Sequence, residues 1–298
     1  MYKEIAIIAP TASGKTNLSI ELAHKLDAII LSLDSLSIYK DIDIASAKPT
    51  IKERDGITHF GIDKVYPNIN FDVIEFIQEY KYAKDYAIKN NKNLIIVGGT
   101  GFYLKSMIDG LSNVVKITDK TKKIVKDKIK NLKECYDLLY NLDYNYMSSI
   151  APTDKYRIEK ALAIYIQTNM TPSDYFNKNK PKSIITNDLK IFEIETPRDI
   201  LRARIEKRTK KMLEDGIIDE VIFLEKKYTR EPNCMKSIGI VETLEYLDGK
   251  IDKKTLEEKI SIHTNQLAKR QRTFNNSQFS NIYKDSLEIL PKKILSMV

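Results

Sequence analysis

Cysteine is scarce in this chain: Cys135 and Cys234 are the only two in 298 residues, and neither falls in a CxxC spacing. Three histidines, His24, His59 and His263, are scattered along the sequence. The pattern argues against a zinc site, and so low a cysteine count fits a reducing compartment. Long apolar runs are missing as well, so no membrane span is expected. The N-terminus enters an apolar segment directly, without a signal-peptide layout, and the expected setting is the cytoplasm. No internal repeat and no low-complexity linker is found.

The residues present suit a folded, basic protein. Hydrophobic residues make up 42%, enough to bury a core, and the length suits one large domain or two. The 49 Lys and Arg exceed the 41 Asp and Glu, for a net charge of +8. Such an excess favours an acidic partner such as nucleic acid, and it equally describes a lysine-rich solvated surface.

Short apolar runs alternate with helical periodicity over the first hundred residues. EIAIIA (4–9), AIILSL (28–33) and LIIV (94–97) read as buried parallel strands. Leu18, Leu22 and Leu26 recur at helical spacing after the first. Asp72, with Glu75 three residues on, reads as a capping box opening a helix that buries Phe76, Tyr80, Ala83 and Ala87. From about Val115 the texture becomes lysine-rich and helical. Val125, Ile129, Leu132, Tyr136 and Leu139 form one stripe, and Ile158, Leu162 and Tyr165 a second. KIFEIE (190–195) returns to strand pattern. Thr196-Pro197 then reads as the N-cap and first residue of a helix that turns Leu201, Ile205 and Met212 inward and ends near Gly216. The rest reads as mostly helical. The expected fold is α/β: a P-loop-type parallel sheet core flanked by helices (1–114 and 186–298), with an inserted all-helical subdomain (115–185).

Four stretches carry chemistry. APTASGKT, Ala9–Thr16, follows the first strand and opens a helix. It matches the phosphate-loop pattern GxxxxGK[ST], with Ala9 in place of the first glycine. Backbone N–H groups of such a loop form an anion nest; Lys15 adds a positive charge, and the Thr16 hydroxyl can reach Mg²⁺. Asp34 follows the second strand, so it should face the same crevice, either as a Mg²⁺-linked carboxylate or as a general base. The third strand ends in Gly98-Gly99-Thr100 rather than in the acidic residue of a nucleotide-hydrolysing site, and Thr100 offers a hydroxyl there. Basic residues cluster at Arg198, Arg202, Arg204 and Arg208, at Lys269, Arg270 and Arg272, and at Arg157 with Lys160. On these residues a small-molecule kinase using ATP remains an alternative to a transferase acting on nucleic acid.

Taken in order, APTASGKT, DSLSIYKDIDIASAKP, VGGTGFYLK, APTDKYRIEKALAIY, RARIEKRTKKMLEDGIIDEV, KSIGIVETLEYLDG and QLAKRQ resemble the tRNA dimethylallyltransferase family in its compact bacterial form. The resemblance runs from residue 9 to about 274. It implies transfer of a dimethylallyl group from dimethylallyl diphosphate to N6 of the adenosine 3′-adjacent to the anticodon (position 37) of tRNA, assisted by Mg²⁺, with diphosphate leaving. The partners would be the tRNA anticodon stem-loop and the prenyl donor, and a monomer is expected. By the family motif Asp34 is the base and Thr100 an orienting group. Residues Ala9, Pro10, Thr11, Ala12, Ser13, Gly14, Lys15 and Thr16 hold diphosphate, with Thr16 toward the metal. Arg204 and Arg208 are the helix arginines assigned to diphosphate, the choice between them left open. Asp34, Ser35, Leu36 and Ser37 match the adenine-contact segment, and Thr100, also assigned to tRNA, would orient diphosphate, the base or the incoming nucleotide. Lys122, Tyr156, Arg157, Lys160, Lys269 and Arg270 are assigned to tRNA. This chain differs from the common pattern at Ala9, at Ala45-Ser46 for Gly-Thr, at His59-Phe60 for His-His, at Ile240 for Tyr and at Phe274 for Trp.

Overall fold

The computed structural model describes residues 2–112, 115–185 and 188–298. The chain divides into two compact units, Met1–Ser106 with Thr186–Val298, and Met107–Ile185. The domain limits read from sequence at 114 and 186 lie outside the described residues.

The larger unit is built on β1 (Glu4–Ile8), α1 (Lys15–Lys25), β2 (Ala28–Leu33), β3 (His59–Phe60), α2 (Val73–Lys89), β4 (Asn93–Gly98) and α3 (Gly101–Asp109), α3 running on past its limit at Ser106. Among the described residues six strands form one parallel sheet in the order β3-β2-β4-β1-β5-β6, with β5 (Lys190–Glu195) and β6 (Ile282–Ser286) added late in the chain. The central strands are continuous Ile, Val and Leu runs because helices cover both faces, the usual condition of a parallel sheet. Ile5, Ile7, Ile30, Ile95 and Phe192 pack with Leu18 and Leu22 of α1 and with Leu290 and Ile294 in one core cluster. Each such side chain contributes about 1.5–3 kcal/mol when fully buried.

The expected capping box is present: Ile74 N–H donates to Asp72 Oδ1 at 2.7 Å and Asp72 N–H to Glu75 Oε2 at 3.0 Å. Other expectations need correction. The single stripe from Val125 to Leu139 is divided between α4 (Asp119–Lys128) and α5 (Leu132–Leu142), because Asn131 caps a new helix by accepting from Glu134 N–H. These helices pack with α7 (Lys155–Thr168), between the short α6 (Tyr144–Met147) and α8 (Pro172–Lys178), around Ile129, Leu139, Ile158 and Leu162. Thr196 is not the N-cap of α9 (Arg198–Glu214); Pro197 holds that place in extended conformation, without a side-chain cap. Strands β3 and β6 were not read from sequence. The remaining helices are α10 (Ile217–Tyr228), α11 (Ile240–Leu247), α12 (Lys253–Gln278) and α13 (Leu290–Met297), with a 3₁₀ turn at Asn233–Lys236. The segment after β2 has its own core: Ile38, Tyr39 and Ile42 pack on Met212, Ile217, Val221 and Leu224.

Candidate active site

Parallel strands aim their carboxyl ends at one edge of the sheet, and three of those ends meet here. After β1 the chain forms the loop Ala9–Thr16. Gly14 takes φ 96° at the N-cap of α1, where no side chain caps the helix, so the first-turn N–H groups point outward. Ala9 does not stand in the left-handed region that glycine would favour; that conformation belongs to Ala12, at φ 62°. Ala9 is fully buried, its N–H donating to Gly98 O at 3.3 Å, and alanine fits there without strain. Ser13 Oγ is buried and has no hydrogen-bond partner. Lys15 Nζ donates to Pro10 O at 2.6 Å. Burial pushes the Lys15 pKa down to about 7; Asp34 opposes this and Arg208 adds to it.

Asp34 follows β2 and is half-buried. Its Oδ1 accepts from Leu36 N–H at 2.8 Å and Ser37 N–H at 3.3 Å, so one oxygen shapes the DSLS turn. Ser35 is exposed and Ser37 buried. After β4, Thr100 N–H donates to Leu33 O at 3.2 Å, tying Thr100 to the end of β2 just before Asp34.

The helix arginines divide by helical phase. Arg204 and Arg208, one turn apart, reach the loop: Arg204 Nη1 donates to Ser13 O at 3.2 Å and Arg208 Nη1 to Thr11 Oγ1 at 3.0 Å. Burial lowers the Arg208 pKa and Asp34 raises it. Arg198 and Arg202 line a different groove, between α9 and α12, together with Lys269 and Arg272. Lys269 is therefore separated from Arg270, which lines the same cleft as Asp34. On the helical unit, Lys122 pairs with Asp119 at 2.8 Å, Arg157 with Asp154, and Lys160 lies 5.5 Å over the ring of the exposed Tyr156.

Two cavities adjoin. A polar one of about 100 Å³ is lined by Lys15, Thr16, Ser37, Lys48 and His59. A cleft of about 510 Å³ is lined by Thr100, Phe102, Ile205, Met212, Ile260 and Phe274. Thr11, Asp34, Ser46, Gly99, Arg208 and Gln271 line both. Sequence reading missed Gln271, whose Oε1 accepts from Thr11 N–H at 3.0 Å. It also missed His59, which holds Ile57 O at 2.8 Å through Nδ1 and whose pKa burial lowers. The QLAKRQ match was the signal for the first. The second stands at a position flagged only as a departure from the family pattern.

A loop of phosphate-loop sequence at a parallel-sheet edge, beside a carboxylate and an apolar cleft, is an arrangement consistent with a P-loop-like core. Residues 37–278 match the family model described as IPP transferase, and the chain belongs to that family. It is 60% identical over 293 residues, 98% of each chain, to the tRNA dimethylallyltransferase of Aliarcobacter butzleri, and 53% identical to that of a Sulfurovum species, covering 98% of this chain and 97% of the relative. Among solved structures it resembles the tRNA isopentenylpyrophosphate transferase of Bacillus halodurans (TM-score 0.73, 26% identity, covering 100% of this chain and 95% of that one). It also resembles a eukaryotic dimethylallyltransferase acting on tRNA (TM-score 0.81, 27% identity, 98% and 72%).

Proposed function

We propose that the chain transfers a dimethylallyl group from dimethylallyl diphosphate to N6 of adenosine 37 in tRNA. The observation that carries this reading is the junction of the two cavities, where Asp34 and Arg208 stand between the phosphate loop and an apolar cleft. Diphosphate belongs in the polar cavity, against the α1 N–H groups, Ser13, Lys15 and Arg208. The five-carbon group and the adenine belong in the cleft.

The allylic C–O bond breaks with its electron pair on the diphosphate oxygen. The concentrated positive charge of Lys15 and Arg208 stabilises that developing charge. The N6 lone pair forms the new C–N bond, and the proton N6 loses passes to Asp34. Proton transfer of this kind contributes roughly 10²–10⁴-fold. Thr100, fixed against Leu33, orients the incoming nucleotide. The base must leave its stack to enter the cleft. Lys122, Tyr156, Arg157 and Lys160 offer contacts to the tRNA from the helical unit.

Mg²⁺ fits the exposed Thr16 hydroxyl in the polar cavity, since this ion takes few protein oxygens beside phosphates and water. When bound there it would neutralise diphosphate charge. Phosphoryl transfer has less support, since β4 ends at Gly98 and runs into Gly99 and Thr100 without a carboxylate.

Incubation with unmodified tRNA, Mg²⁺ and labelled dimethylallyl diphosphate should place label in the tRNA. Unlabelled tRNA, together with ATP-dependent phosphorylation of a small molecule, would overturn the reading.

A further inference from the structure

One wall of the cleft is a loop braced by a side chain from another element. Residues 43–45 lie between the left-handed turn at Asp41 (φ 65°) and another at Ala47 (φ 46°), outside any helix or strand. Ala45 and Ser46 line the cleft with Asp34 and Thr100. The loop's backbone donors converge on one side chain. Glu220, on the first turn of α10, accepts from Asp43 N–H and Ile44 N–H through Oε2, each at 2.7 Å, and from Ala45 N–H through Oε1 at 2.9 Å.

Three consecutive N–H groups need an acceptor with no hydrogen of its own, and an ionised carboxylate is the side chain that meets that need. A glutamine in its place would aim an NH₂ group at N–H donors. The next residues touch the same segment but also have anchors outside it: Ser46 Oγ donates to Asp43 O at 3.2 Å and to Ile42 O at 2.6 Å, Ala47 N–H donates to Ile44 O at 3.0 Å, and Lys48 Nζ pairs with Asp43 but also donates to Tyr39 O at 2.9 Å and pairs with Asp63. Ala45 lines the cleft and not the polar cavity, while Ser46 and Lys48, which line the polar cavity, keep Ile42, Tyr39 and Asp63 as partners whatever stands at 220, so Glu220 acts on the cleft wall more than on the polar cavity. Glu220 itself lines neither cavity.

We infer that Glu220 is a positioning residue: by clamping the backbone of 43–45 it sets the wall against which the acceptor base and prenyl group are aligned, without touching substrate. This rests on the transfer reaction proposed above and goes beyond the residues named there.

The test compares wild type with Glu220→Gln in prenyl transfer to tRNA, in binding of inorganic diphosphate, in thermal melting, and in amide hydrogen exchange at residues 43–45. In the wild type those three amides should be protected and tRNA should be labelled. In the variant they should exchange freely, and kcat/KM for transfer should fall roughly ten- to hundredfold, with diphosphate affinity kept within about twofold. Wild-type transfer by the folded variant overturns the inference, as does a loss of diphosphate affinity in step with transfer. So does unprotected exchange at 43–45 in the wild type, a measurement that does not depend on the variant folding. Failure of the wild type to label tRNA would instead strike the proposed function.

Discussion

Gly98 and Gly99 are adjacent, yet a methyl group added to each meets different neighbours. A Cβ built at Gly98 overlaps the Leu33 carbonyl oxygen and lies 2.5 Å from its carbon and 2.8 Å from its Cα. That is backbone of β2, held in register with β4, and it cannot retreat without breaking the ladder. Gly98→Ala should cost more than about 3 kcal/mol, at or beyond the upper end of overpacking, and lower Tm by roughly 5–10 °C or prevent folding. A Cβ at Gly99 instead overlaps the Gln271 amide nitrogen and lies 3.2 Å from its Cδ, with Ala9 O at an ordinary 3.6 Å. Gln271 is the end of a flexible side chain and can swing away. The loss is then its bond to Thr11 N–H, about 1–2 kcal/mol, together with an amide displaced into the junction of the two cavities. Gly99→Ala should therefore fold with a Tm within a few degrees of wild type and yet transfer prenyl at least tenfold more slowly. Melting curves and single-turnover transfer on both variants decide the matter. Equal Tm losses, or a Gly98→Ala protein as stable as wild type, would refute the reasoning.

Asp34→Asn keeps the acceptor for Leu36 N–H and removes the proton acceptor. Rapid-quench transfer should slow by about 10²–10⁴-fold, with diphosphate affinity largely kept; a wild-type chemical step would remove Asp34 as the base. Lys15 has a pKa near 7 in the free protein, so it gives up its proton as pH rises from 7 to 9, while a diphosphate bound beside it favours the charged form. Affinity for dimethylallyl diphosphate, measured without tRNA, should fall by up to about tenfold per pH unit above pH 7, with proton uptake on binding. The donor's own last ionisation, near pH 6, is complete by then. Lys15→Arg should flatten the profile, and a flat wild-type profile would contradict the assignment.

The central sheet and the phosphate loop were legible because they are local. Unbroken apolar runs mark β1, β2 and β4, and SGKT after the first marks the cradle. Strands β3 and β6 were not legible. His59-Phe60 is two residues long, and Ile282–Ser286 carries Lys284 and Asp285 at an edge where alternation is weak. The helix arginines looked like one cluster because spacing alone does not say which phase faces the loop; the packing of α9 selects Arg204 and Arg208. Asp34, Thr100 and the loop could be grouped from strand ends alone. Gln271 and Glu220 could not, since each acts across the fold on backbone groups whose position only the assembled structure supplies.

The bond from Gln271 to Thr11 closes a span of 260 residues. The chain's earliest motif is thus completed by one of its last helices, with the whole helical unit made in between. During synthesis the Ala9–Thr16 loop emerges well before α12 and waits, its Thr11 N–H still lacking the Gln271 acceptor. β1 likewise waits for β5 before it has both neighbours in the sheet. Contacts this distant close slowly. The junction of the two cavities is in this sense a late product of translation, and a nascent chain short of α12 carries a recognisable loop motif without the wall it belongs with.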